Sequence, residues 1–87
     1  MSVIFKYRLP LPGQQATHVI PGASTLAHVG LDPSGDACVW LLIAEGPDEA
    51  RTFSVVGTGH TFPPPWQPIG SFIDGPFVWH AVEVLTP

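Results

Sequence analysis

The chain has 87 residues, a net charge of −4 and only three fixed cations, Lys6, Arg8 and Arg51. No basic face can be built from so few, which argues against DNA or RNA as a partner. Cys38 is the only cysteine, so an intrachain disulfide and a cysteine zinc site are excluded, and a buried, inert thiol is expected.

Hydrophobic residues make up 45% of the chain and charged residues 11%, with a mean hydropathy of +0.27. An average globular chain carries about 25% charged residues. One domain spanning residues 1–87 is expected. A domain of this size hides only about 60% of the surface its unfolded chain exposes. The apolar remainder predicts burial against further copies, hence a homo-oligomer. The first residues lack an apolar stretch behind basic ones, so no secretion signal is expected and the predicted location is cytoplasmic. No run approaches the ~20 apolar residues of a membrane-crossing helix, so no membrane partner is expected.

Val3, Phe5, Tyr7 and Leu9 alternate with Ile4, Lys6 and Arg8, the period of a half-buried strand. Pro10 and Pro12-Gly13 end it. A second strand fits residues 16–20 and a third 26–31, separated by Pro21-Gly22 and closed by Asp32-Pro33-Ser34-Gly35. Residues 37–44 are apolar on both faces, which predicts a central strand covered on both sides. A helix competes for this run, but Gly35 and Gly46-Pro47 bound it too closely. Residues 47–50 read as a polar loop, followed by a strand over 51–56 and a long loop to Pro68. Residues 69–73 predict a short strand. Asp74-Gly75 is a hairpin signal, although Pro76 is awkward for that turn and allows a longer loop. A last strand covers 77–85. Seven strands with turn chemistry between them predict an all-β fold: a single antiparallel sandwich or a partly open barrel.

Chemistry concentrates in one stretch, from Arg51 through Gly57-Thr58-Gly59-His60 to Pro63-Pro64-Pro65 and Trp66. Glycines let backbone N–H groups converge on an anion. Thr58 can donate a hydroxyl, His60 a ring N–H, and Arg51 the charge a phosphate needs. The competing reading is structural: the glycines only allow the backbone to turn. No lysine follows in the spacing of a nucleoside-triphosphatase loop. Trp66, in a proline-rich loop, is the tryptophan expected at a contact, whereas Trp40 and Trp79 lie in strands and read as core. Arg8 and His80 complete the candidate ligand-binding set, with His80 positioned to face His60 across a sheet. The four histidines, His18, His28, His60 and His80, are too dispersed for a metal site. Ser71, Cys38 and the histidines form no nucleophile–base spacing, and a phosphodiesterase with two His-x-Thr elements is excluded by Phe62 and Val82. A non-enzyme without a cofactor is the expectation.

Lys6-Tyr7-Arg8-Leu9, Pro21-Gly22-Ala23, Val39-Trp40, Arg51-Thr52-Phe53, Gly57-Thr58-Gly59-His60, Ile69-Gly70-Ser71-Phe72 and Val78-Trp79-His80 span nearly the whole chain. In combination they resemble a family of small phage and prophage β-proteins of unsettled function. Residues 61–66 depart from that family's pattern, which is more acidic there. The resemblance implies a phage-encoded accessory protein in the cytoplasm of the host cell. By analogy of size, source and build, it implies an oligomer that sequesters a nucleotide-type immune signal of the host. The alternative is a phage module or small structural component that docks on a host or phage protein through an apolar edge at Trp66 and Pro63-Pro64-Pro65.

Overall fold

A computed structural model describes residues 1–86. Seven strands form: β1 (Ile4–Arg8), β2 (Gln15–Pro21), β3 (Thr25–Leu31), β4 (Ala37–Leu42), β5 (Asp48–Gly57), β6 (Gln67–Asp74) and β7 (Phe77–Val84). They build a three-stranded sheet, ordered β1–β4–β3, and a four-stranded sheet, ordered β2–β5–β7–β6. Every strand pair is antiparallel. The architecture is therefore the predicted all-β fold, as two packed sheets rather than a closed barrel.

Alternation decides which side chains meet between the sheets. On β5, Phe53 and Val55 point inward and are fully buried. Across the ladder Val55 faces Ala81 of β7, also buried. From the smaller sheet come Leu9, Val29, Val39 and Leu41, and from β2 comes Ile20. Burying each large side chain contributes about 1.5–3 kcal/mol. The intervening residues of the large sheet, Thr52, Val56, Val78, His80 and Ser71, point to its outer face.

β4 is the middle strand of its sheet, as expected, but it is not covered on both sides. Val39 and Leu41 face the core, whereas on the outer face Trp40 is half-buried beside His28 and Leu42 is 40% exposed. Cys38 is buried, and that burial pushes its thiol above the ordinary range, so it behaves as a small apolar side chain. The expected polar loop at 47–50 is mostly strand: Asp48, Glu49 and Ala50 pair with Pro21, Ile20 and Val19. Pairing with β2 overrides their low strand preference. At the β6–β7 hairpin, Asp74 pairs with Phe77, leaving Gly75-Pro76 as the two-residue turn. Gly75 has φ +57° at the first turn position, where a type II′ turn needs glycine, and proline's fixed negative φ then suits the second.

All three fixed cations are held by acids. Lys6 Nζ meets Asp32 Oδ2 at 2.8 Å, and Arg8 pairs with Asp36. Arg51 forks onto Glu83 and also donates to the Ser24 carbonyl at 2.8 Å. That last cluster ties β5 and β7 to the β2–β3 turn. The opposite end of the sandwich is open as a cleft.

Candidate functional site

β5 leaves its sheet through a tight turn in which His60 N donates to the Gly57 carbonyl at 3.1 Å. Gly59 takes φ +87° at the third position, the value a type II turn requires there. Gly57 is needed for a different reason. A Cβ on it would lie 3.0 Å from His60 Nδ1 and 3.3 Å from Trp79 Cζ3. Both glycines thus have a structural task. The chain then runs through a second turn, Trp66 N to Pro63 O, and Phe62 stacks on Trp66 with ring centroids 6.5 Å apart.

This loop and the outer face of the large sheet enclose a groove of about 390 Å³. Val56, Ser71, His80 and Val82 form its floor, and the 57–60 turn with Phe62 forms a wall. The floor is set by register: Val56 faces His80 across β5 and β7, and His80 faces Ser71 across β7 and β6. Directly opposed residues share a sheet face, so the two cross-strand pairs aim at one place.

His80 is gripped on both ring nitrogens. Nδ1 lies 2.7 Å from Ser71 Oγ, and Nε2 lies 2.7 Å from Thr58 Oγ1. Thr58 Oγ1 also donates to the Val78 carbonyl at 3.3 Å. One arrangement satisfies all three contacts: Thr58 donates to the Val78 carbonyl, Nε2–H donates to Thr58 Oγ1, and Nδ1 accepts from the Ser71 hydroxyl. The protons of the whole chain point one way, toward Val78. In that arrangement the Ser71–His80–Thr58 cluster keeps acceptor capacity: two lone pairs on Ser71 Oγ and one on Thr58 Oγ1. The side chains of the floor offer a ligand places for its N–H or O–H groups. A hydroxyl bonded to a ring nitrogen is also the contact from which nucleophilic chemistry starts. Here the ring's other nitrogen rests on a neutral hydroxyl, which does not stabilise an imidazolium as a carboxylate does.

Of the residues singled out from the sequence, the structure gathers Gly57, Thr58, Gly59, His60 and His80 around this groove. His80 faces Ser71 and Thr58 rather than His60. Arg51 stands elsewhere, between the sheets on Glu83, with its guanidinium 5.8 Å from the Phe53 ring centroid. Arg8 lies at the open end of the sandwich on Asp36. Trp66 is half-buried behind Phe62 and does not line the groove. Ser71 and Phe62 were not anticipated as site residues. Ser71 stands opposite His80 because the turn falls at 75–76; a turn at Asp74-Gly75, as the sequence suggests, would put it opposite Val78, and no signal marked Phe62. Among the described residues no group of three or more His, Cys, Asp or Glu side chains is placed to hold a metal ion, and no helix is long and apolar enough to cross a membrane.

No curated protein matches the chain, and no solved structure does. A family model matches residues 1–87, and on that match the chain belongs to the family described as Domain of unknown function (DUF7352).

Proposed function

We propose that this domain is a non-enzymatic small-ligand-binding protein whose site is the groove over β5, β7 and β6. Its ligand is a neutral heteroaromatic group carrying N–H donors, of the size and polarity of a nucleobase or nucleoside. The observation that carries this reading is the doubly bonded His80 at the groove floor, which leaves acceptors on Ser71 and Thr58 beside the apolar side chains of Val56, Phe62 and Val82. A volume of about 390 Å³ suits a small molecule, and Phe62 offers a flat ring for stacking.

The same observation shapes the nucleotide reading. A phosphate brings only acceptors and needs cationic partners, yet Lys6, Arg8 and Arg51 are each engaged by a carboxylate. Capture of a nucleotide-type immune signal by a phage accessory protein, which the residue pattern resembles, therefore works through the base edge, with the phosphates left in solvent. Self-association belongs to this proposal, because apolar side chains such as Ile4, Phe5, Val19, Ile73 and Phe77 remain exposed in the single chain.

Calorimetric titration with adenosine, guanosine and a cyclic dinucleotide tests the proposal. Binding of at least one of them is expected, weakened about tenfold by Ser71→Ala or His80→Ala. Removing the phosphates should leave affinity within a few-fold. No heat and no thermal shift with any of the three would remove the proposal.

A further inference from the structure

We infer that the cleft at the open end of the sandwich is a second binding site, specific for a small organic cation with an apolar body. The cleft measures about 610 Å³ and runs between the sheets where β1 ends, β4 begins and the β6–β7 hairpin turns. Its inner wall is core: Leu9, Val55 and Phe72 line it, and all three are buried. A ligand entering here meets apolar side chains that are already fixed in place, so little ordering opposes binding.

The rim gives the cleft its sign. Register puts Asp74 directly opposite Phe77, and Phe72 opposite Trp79. All four therefore project from the same face of the hairpin, the face that lines the cleft. Phe77 and Trp79 form a tilted pair with centroids 5.8 Å apart. Phe77 is 60% exposed despite its size. Two carboxylates, Asp36 and Asp74, share the rim with one guanidinium, Arg8. Arg8 is paired with Asp36, and Asp74 is in no ion pair among the described residues. An ammonium group seated between Asp74 and the faces of Phe77 and Trp79 gains a charge partner and an aromatic cage wall, while its apolar body follows the core wall inward. A carboxylate in the same place meets the uncompensated Asp74.

The site is separate from the groove around His80 and does not rest on the function proposed for it. Titration of the full chain with phenethylamine, phenethyl alcohol and hydrocinnamate, followed by amide chemical shifts, tests the inference. The amine is expected to shift residues around Asp74, Phe77 and Trp79 and to bind at least threefold tighter than the alcohol, with the carboxylate weakest. Asp74→Asn should lower affinity for the amine about threefold, and Phe77→Ala by a similar factor. His80→Ala should leave it unchanged. Asp74 and Phe77 are exposed, so both variants keep the fold, which the amide spectrum reports directly. Equal binding of alcohol and amine, no binding of the amine, or an Asp74→Asn variant that binds it as well as the parent would each overturn the inference.

Discussion

Arg51 and Glu83 meet fork to fork: Nε and Nη2 of the guanidinium each donate to a different carboxylate oxygen at 2.8 Å. Both side chains are 15% exposed. Two parallel charge-assisted bonds in partial burial are worth more than a surface pair, and the Ser24 carbonyl takes a third. The Glu83 bond, ahead of any other influence, raises the Arg51 pKa further above its ordinary value. Arg51→Ala leaves Glu83 and the Ser24 carbonyl without their donor. A loss of about 2 kcal/mol is expected, seen as a fall of roughly 8–16 °C in Tm. Ligand affinity in the groove should be unchanged by it. His80→Ala should show the reverse, a stability change under about 1 kcal/mol with binding weakened about tenfold. Thermal melts and calorimetry on the two variants check both halves.

Asp32 has a pH signature. The Lys6 ammonium and the backbone N–H groups of Asp36 and Ser34 hold its carboxyl down at about 2, from an ordinary 3.8. Because the folded value is the lower one, the ionised carboxylate adds stability above the unfolded value. That contribution fades as pH falls from about 4 toward about 2. Asp32→Asn keeps an acceptor for the two N–H groups but loses the charge. Its Tm should fall less steeply than that of the parent over this window. Parallel pH-dependent melts measure the difference, and identical slopes would contradict the assignment.

Gly70 is a contact between the sheets. A Cβ added there would lie 2.8 Å from Val29 Cγ2 and 3.1 Å from Val29 Cβ. Valine has little rotamer freedom with which to move aside. Gly70→Ala should cost about 1–3 kcal/mol. In a Val29→Ala background the same change should cost clearly less. A double-mutant cycle in denaturant reads the coupling, and strict additivity would show that the clash is relieved elsewhere.

Exposed apolar side chains give an expectation about mass. Ile4 and Leu42 are neighbours in register on the outer face of the small sheet, 54% and 40% exposed. Light scattering coupled to size exclusion should report an assembly of more than one chain at micromolar concentration. A monomer across the accessible range would contradict the self-association proposed above.

Much of the sheet pattern was legible because it is local. The alternation of Val3, Phe5 and Tyr7, the turn at Asp32-Pro33-Ser34-Gly35 and the apolar run after Ala37 each announce themselves within a few residues. Arg51 shows where that legibility stops. Beside a glycine turn and a histidine it reads as a ligand cation. Its fate is decided by Glu83, distant in sequence and adjacent only through the β5–β7 register. Asp48 and Glu49 misled in the same way, since their strand character comes from β2. The groove was half legible: the 57–60 turn is a sequence feature, while Ser71 becomes part of it only when the hairpin fixes it opposite His80.

The strand order has a kinetic consequence. β1 pairs with β4, and β2 pairs with β5; neither N-terminal strand has a sequence-adjacent partner. During synthesis both must wait, unpaired, until the middle of the chain has emerged. The β3–β4 and β6–β7 hairpins are the segments able to close early, by short loops. Assembly then depends on distant pairings, which are slow for a chain this short. Until β5 captures β2, the amides along residues 15–21 are free to pair with another chain, so the nascent protein is most prone to aggregate before its second half is made.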